Sequence, residues 1–115
     1  MKRGDLFWAD LKPRSGSEQK GRRPCLVVSH DAFNQISNWR SVMVVPLSTS
    51  KKQKHRGPSA ITIRKGVANL KQDSVALCHQ ITTLDRSKLT RQIGALSRAQ
   101  MKKIENGIKA AIDLD

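Results

Sequence analysis

The chain has 115 residues, of which 37% are apolar and 27% charged, so it has room for one domain around one hydrophobic core. Its 22 Lys and Arg against 9 Asp and Glu give a formal net charge of +13, which favours a polyanionic partner such as RNA, DNA, an acidic protein or an anionic membrane. It has no apolar run of the roughly 18 residues that span a membrane, and its start does not read as a signal peptide. We therefore expect a single cytoplasmic domain over residues 1–115.

Five short runs of β-type sequence predict strands. They are separated by Gly, Pro, Ser and Lys clusters, and most of the gaps are too short for a helical crossover, which favours an antiparallel sheet or small barrel. The fold class predicted is mainly β with α. The predicted strands are 5–11 (DLFWADL), 25–29 (CLVVS), 41–47 (SVMVVPL), 59–63 (SAITI) and 74–84 (SVALCHQITTL).

Three segments carry helix signals. Asp31 is a candidate cap for a short turn in DAFNQIS, and Asp85 for another in DRSKL. A C-terminal helix is predicted after Ser97, which forms a Ser-x-x-Gln capping box with Gln100. The apolar face of this helix is predicted to contain Met101, Ile104, Ile108, Ala111 and Ile112.

Two cysteines, Cys25 and Cys78, lie in apolar strand-like runs and are expected to be buried free thiols. The His, Cys, Asp and Glu residues form no recognisable metal-binding pattern, so neither a metal nor another cofactor is expected. The charge run KKQKHR at 51–56 predicts an extended loop, which is either a solvated hairpin loop or an arm that contacts phosphate.

The strands CLVVS and SVMVVPL are candidate antiparallel neighbours. If Ser29 faces Val42, the numbers of facing residues sum to 71, and Arg23 then lies beside Ser48. A cation from the start of one strand and a hydroxyl from the end of the next would share one edge of the sheet.

An arginine and a serine at one place suit phosphodiester chemistry. The forked donors of Arg23 match a phosphate, and the Ser48 hydroxyl donates to a phosphate oxygen. A proton acceptor is also needed, for which Glu18 is the nearest acid in sequence and His79 is another candidate. The alternative interpretations are structural: a salt-bridged loop arginine, a turn serine, a surface acid and a packed strand histidine.

Several motifs occur in order along the chain: RGD at 3–5 with Trp8, GSEQ-x-G-x-RP at 16–24, VPLS at 45–48, DSV at 73–75, QI-x-TLD at 80–85 and LS at 96–97. In these motifs the sequence resembles the MazF/PemK/Kid family of bacterial toxin endoribonucleases over essentially its full length. The GSEQ-x-G-x-RP and strand-VPxS elements, in this order and at this spacing, are the specific ones.

The resemblance implies an SH3-like, CcdB/PemK-like barrel that forms a homodimer and cleaves single-stranded mRNA at short motifs without a metal. It implies that Arg23 and Ser48 are the catalytic pair, although many members have Thr where this chain has Ser48 followed by Thr49. His79 stands where some members have an acidic residue with a proposed role in proton transfer. An acidic antitoxin, whose disordered tail folds over the RNA groove, is the implied protein partner.

The hypothesis that follows is attack of an RNA 2′-hydroxyl on the adjacent phosphorus, with Glu18 orienting Arg23 or acting as base. Only four residues are aromatic, so charge and hydrogen bonds are expected to dominate RNA binding. Two alternatives stay open: a CcdB-like gyrase-poisoning binding toxin and a basic RNA-binding module without chemistry. The residues expected to bind RNA are Gln19, Lys20, Arg22, Thr49, Lys51, Lys52, Lys54 and Gln80.

Overall fold

The structure, a computed structural model, describes residues 1–11, 16, 21–52 and 57–115. These residues form seven strands and two helices, and every strand pairing is antiparallel. The strands lie in the order β4-β5-β3-β2-β1-β7, and β6 also pairs with β3. The elements are β1 (Asp5–Asp10), β2 (Arg22–Val27), α1 (Asp31–Asn34), β3 (Ser41–Ser48), β4 (Ala60–Ile63), β5 (Ser74–Leu77), β6 (Thr82–Asp85), β7 (Leu89–Ala95) and α2 (Arg98–Ala111).

The predicted fold class, mainly β with a C-terminal helix, is confirmed. So is the predicted register of β2 on β3, because Cys25 faces Pro46 and Val27 faces Val44. β2 begins earlier than predicted, at Arg22, since its first residues pair with the end of β1. No helix in the described part of the chain is long and apolar enough to cross a membrane.

The prediction of one strand over 74–84 is wrong. The chain forms β5, then a 3₁₀ turn at Cys78–Gln80, then β6. Both strands pair with β3, but Leu47 faces Ala76 whereas Val44 faces Thr82, so three steps along β3 correspond to six along its partner. The turn absorbs the extra residues, and strand propensity alone does not reveal such a bulge.

The strand β7 was not predicted. Its sequence LTRQIGA lacks an apolar alternation, and its middle residues Thr90, Arg91 and Gln92 are exposed. β7 is the last strand in the order and pairs with β1, so it is an edge strand among the described residues, and polar side chains are tolerated on its exposed face. Its position is therefore set by the edge of β1 rather than by its own pattern.

The helix caps were predicted with one error. His30 caps α1, because its Nδ1 accepts a hydrogen bond from the Ala32 backbone N at 2.9 Å. Asp31 instead accepts from the Arg3 backbone N at 2.6 Å, a hydrogen bond that holds the pKa of this carboxyl below its usual value. Asp85 does cap the 3₁₀ turn that follows β6, as predicted.

The C-terminal helix has the predicted capping box, in which the Ser97 hydroxyl accepts from the Gln100 backbone N and the Gln100 side chain accepts from the Ser97 backbone N. Met101 and Ile104 are buried, as predicted. Ile112 was wrongly assigned to the apolar face: it follows the last helical turn and is 54% exposed.

Side chains on both faces of the sheet are buried, in two clusters. Along β2, Leu26 belongs to the cluster that α2 covers, whereas Cys25 and Val27 belong to the cluster on the other face. Both cysteines are buried free thiols, as predicted. Burial raises the pKa of the Cys78 thiol to about 11.

Gly107 lies where α2 packs closely on the sheet. A Cβ at this position would lie 2.8 Å from both Cys78 Sγ and Ile61 Cγ1. Alanine gains about 1 kcal/mol of helix propensity over glycine, but overpacking a core costs about 1–3 kcal/mol. We expect Gly107→Ala to lower the free energy of unfolding by about 1 kcal/mol, measured by urea denaturation.

The matched control is Asn106→Ala on the exposed side of the same helix, which is expected to stabilise by a few tenths of a kcal/mol. If Gly107→Ala stabilises as much as Asn106→Ala, the close packing of α2 on Cys78 and Ile61 is contradicted.

Candidate functional site

Arg23 and Arg22 begin β2 and lie on opposite faces of the sheet. Arg23 faces Ala9 of β1 and is half-buried, and Pro24 holds its backbone in an extended conformation. Arg22 is exposed, and its guanidinium carbon lies 4.5 Å from the centroid of the Trp8 ring, a cation–π contact. The two arginines therefore have different surroundings, although they are adjacent in sequence.

Ser48 ends β3 and is 4% exposed. Its Oγ accepts a hydrogen bond from the Ser50 backbone N at 3.1 Å, which uses an acceptor lone pair and not the hydroxyl proton. The observed pairs of β2 with β3 end at Cys25 and Pro46, and the same register continued by two residues would set Arg23 opposite Ser48 on one face of the sheet. Side chains that face each other in this way have Cβ atoms about 5 Å apart.

Two cavities of about 280 and 290 Å³ adjoin the end of β3. Thr49, Gln72 and Ser74 line both, so the cavities are neighbours separated by these residues. The first is lined further by Trp8, Pro24, Asn69, Leu70, Lys71 and Ile93, and the second by Ser50, Lys51, Thr62, Asp73 and Val75.

Sequence reasoning did not assign a site role to Trp8 or Asn69, although both line the first cavity. A signal for Trp8 existed, because strand alternation from the RP pair places it on the same face as Pro24, which it faces in β1–β2 pairing. Asn69 lies in a 3₁₀ turn, Val67–Asn69, that has no helix or turn signal strong enough to predict it.

The other predicted residues fall into three groups. Thr49, Lys51 and Lys52 follow Ser48 directly and are exposed beside the cavities. His79 is exposed and Gln80 is half-buried, and both lie in the turn after β5. This turn is on the opposite side of β3 from β2, so two strand spacings, about 10 Å, separate it from Arg23 across an open sheet. Glu18, Gln19, Lys20 and Lys54 lie outside the described residues.

This region is basic. Arg22 and Arg23 begin β2, Lys71 lines the first cavity, Lys51 lines the second, and Lys52 follows Lys51. No group of three or more His, Cys, Asp or Glu residues that suits a metal ion occurs among the residues described. Larger cavities of about 670 and 460 Å³ lie along α2, and none of the predicted site residues lines them. The arrangement suits a phosphodiester held by cations and hydroxyls.

Comparison with known proteins gives consistent matches over the whole chain. Residues 2–112 match the family model described as PemK-like, MazF-like toxin of type II toxin-antitoxin system. The endoribonuclease MazF of Staphylococcus saprophyticus is 37% identical over 114 residues, which cover 99% of this chain and 92% of that protein.

Solved structures share the fold. The Mycobacterium tuberculosis toxin MazF-mt6 superposes with a TM-score of 0.77 at 27% identity, covering 96% of this chain and 98% of the toxin. An endoribonuclease from a mycobacterial species, solved in complex with its cognate antitoxin, gives a TM-score of 0.79 at 24% identity and covers 100% of this chain and 97% of its own. The second likeness bears on the fold alone.

Proposed function

The chain belongs to the PemK-like, MazF-like toxin family of type II toxin-antitoxin systems, and from this premise we propose that it is an endoribonuclease toxin that cleaves single-stranded mRNA without a metal. The observation that supports the proposal is the register of β2 on β3, which, continued beyond its last pair, would bring Arg23 and Ser48 together in a region whose cavities are lined by Lys51 and Lys71. The whole chain, 1–115, acts as a single toxin domain.

In the proposed reaction the nucleophile belongs to the RNA. The 2′-oxygen of the nucleotide before the scissile bond attacks the adjacent phosphorus, a new P–O2′ bond forms and the P–O5′ bond breaks. The products are a 2′,3′-cyclic phosphate and a 5′-hydroxyl. The protein then has to orient the backbone, stabilise the charge of the phosphorane and move two protons.

Arg23 and Ser48 supply the stabilisation. The guanidinium of Arg23 stays charged at every physiological pH and matches two phosphate oxygens at once. The Ser48 hydroxyl donates to a non-bridging oxygen, since its contact with the Ser50 backbone N leaves the hydroxyl proton unused. Thr49 is the neighbouring hydroxyl that can take the same role.

Glu18 is the first candidate for the group that accepts the 2′-hydroxyl proton or orients Arg23. His79 is the second, and it requires the RNA to extend across β3 to the turn after β5. An imidazole can both accept and donate a proton, which suits proton transfer. The RNA contacts proposed are those of the basic and amide side chains Gln19, Lys20, Arg22, Lys51, Lys52, Lys54 and Gln80.

The gyrase-poisoning and non-catalytic alternatives are not favoured, because the family is one of MazF-like toxins and the 37% identical relative is an endoribonuclease. The protein partner proposed is an acidic antitoxin, in keeping with the net charge of +13. A homodimer in the cytoplasm is the proposed working form.

The test is incubation of the purified protein with a long single-stranded RNA in EDTA, with cleavage sites mapped by primer extension. We expect cuts at a short recurring motif, and 2′,3′-cyclic phosphate ends on the upstream fragments. The matched control is an all-deoxy strand of the same sequence, which should stay intact because it lacks the 2′-hydroxyl. Intact RNA, or a cleaved deoxy strand, would overturn the proposal.

A further inference from the structure

We propose that the groove between β4 and α2 binds an extended acidic segment of a partner protein, which adds to the free edge of β4 as a further strand. The groove has a volume of about 460 Å³, within the range of ligand-binding sites. Neither Arg23 nor Ser48 lines it, and the proposal does not depend on the nuclease function.

The outer edge of β4 is unpaired within the described part of the chain. β4 is the first strand in the order β4-β5-β3-β2-β1-β7, where it pairs with β5 alone. The Cys78 backbone N donates to the Ser59 carbonyl oxygen at 3.0 Å, so these two residues form a hydrogen-bonded pair. Because such pairs alternate along an antiparallel ladder, Ile61 and Ile63 also bond to β5, and the Thr62 N–H and C=O point outward.

The groove runs along this backbone edge. Four consecutive residues, 61–64, line it on the β4 side. Side chains of a strand alternate between the two faces of the sheet, so side chains on one face alone do not form such a wall. The edge of the backbone is therefore part of the wall, with the outward Thr62 N–H and C=O in it. An extended peptide that enters the groove pairs with these groups as an added strand pairs with a sheet edge.

The walls of the groove are apolar and basic. Ile61 and Ile63 of β4 and Ile104 of α2 give it an apolar floor. Arg64 and Lys103 line it and are exposed, and no acidic residue lines it among those described. Side chains of an added strand alternate, so one set packs on the floor while the other remains free to meet the cations. The groove therefore suits a segment in which apolar and acidic residues alternate.

Charge selects among the occupants that an open sheet edge attracts. Cations on an edge strand oppose its pairing with a second copy of the same chain, and this chain has a net charge of +13. RNA lacks the regular N–H and C=O pattern that pairs with a strand edge. An acidic peptide matches the Thr62 backbone, the apolar floor and the two cations together.

The first test titrates a synthetic peptide of about eight alternating glutamate and valine residues into the isotope-labelled protein, followed by NMR. We expect the largest amide shifts in β4 and the first half of α2, and slower hydrogen exchange of the outward Thr62 amide. The control peptide has lysine in place of glutamate and should not bind. Absence of binding, an unprotected Thr62 amide, or equal binding of the lysine peptide would overturn the proposal.

The second test is Thr62→Pro, which removes the outward N–H. An edge position whose N–H faces away from the ladder tolerates proline, so the pairing of β4 with β5 is kept. We expect peptide binding to weaken about 10-fold or more, whereas Thr62→Val, which keeps the N–H, should stay within about 2-fold of wild type. Circular dichroism and the urea midpoint check that both variants are folded. Equal affinity of the two folded variants would contradict strand addition, and the NMR result on wild type decides if Thr62→Pro does not fold.

The third test addresses charge and the competing ligand. Lys103→Gln should weaken peptide binding by up to about 5-fold, the range of an exposed ion pair, whereas Lys109→Gln, exposed on the same helix outside the groove, should not change it. Equal losses would indicate a general charge effect and count against the groove. A 2′-O-methyl RNA that displaces the peptide and binds Thr62→Pro more weakly would show that the groove binds RNA, and the proposal would be wrong. These measurements do not require RNA cleavage, so a failure of the nuclease function leaves them intact.

Discussion

Arg23→Ala is expected to reduce the rate of RNA cleavage by roughly 10²–10³-fold, the loss seen when one preorganised donor to a transition-state charge is removed. Arg23 lies at the start of β2, where the register of β2 on β3, continued beyond its last pair, sets it opposite Ser48. Pro24 holds the Arg23 backbone in an extended conformation. RNA binding should weaken much less, because other cations remain. Arg23→Lys keeps the charge but loses the forked donors, so a partial recovery is expected.

The measurement is single-turnover cleavage of one RNA oligonucleotide, with binding of its 2′-O-methyl analogue measured in parallel. Arg22→Ala is the neighbouring comparison: Arg22 is exposed on the other face over Trp8, so its loss should mainly reduce affinity and its salt dependence. If Arg22→Ala loses as much of the rate as Arg23→Ala, the assignment of Arg23 as the catalytic residue is wrong.

The pairing of β2 with β3 was predictable because the two apolar runs are consecutive in the chain and the connection between them is too short for a parallel crossover. Both strands are apolar on both faces, so the apolar pattern alone does not fix the register, and the predicted register started instead from Ser29 facing Val42. The candidate site followed directly, since Arg23 and Ser48 are defined by distance along these two strands. The cap at Ser97 was predictable because the hydrogen bonds of a capping box join residues only three positions apart in sequence.

The remaining parts of the site depend on contacts distant in sequence. The cavity wall at Ala68 and Asn69 has left-handed backbone angles, which alanine seldom adopts, and the absence of a side chain at Gly94 permits the close approach of the Ala68 carbonyl. The turn at Cys78–Gln80, which carries His79 away from Arg23, is fixed by two different registers on β3. Propensity within a short window carries no information about either.

Asn34→Ala is expected to lower the free energy of unfolding by about 2–4 kcal/mol, because it leaves buried polar groups without partners. Asn34 is 1% exposed, and its Nδ2 donates to the Ser29 carbonyl oxygen at 2.7 Å. The Ser29 hydroxyl in turn donates to Asn34 Oδ1 at 2.5 Å and accepts from the Met43 backbone N at 3.2 Å. Asn34 thus ties α1 to Ser29, which follows β2, and through the Ser29 hydroxyl to Met43 of β3.

Urea denaturation of Asn34→Ala, Ser29→Ala and the double variant measures this network. The double variant should cost less than the sum of the single ones, since each single change strands the other residue. Asn38→Ala, in the same connection but exposed, is the control and should stay within about 0.5 kcal/mol of wild type. A cost for Asn34→Ala as small as that of Asn38→Ala would contradict the role of the network.

Activity separates this stability effect from a catalytic one. The connection that carries α1 joins the end of β2 to the start of β3, whereas Arg23 and Ser48 lie at the opposite ends of these strands. The cleavage rate per folded molecule of Asn34→Ala should therefore equal that of wild type well below its melting temperature. A loss of rate in a fully folded sample would mean that the β2–β3 register itself depends on Asn34, because that register is what sets Arg23 opposite Ser48.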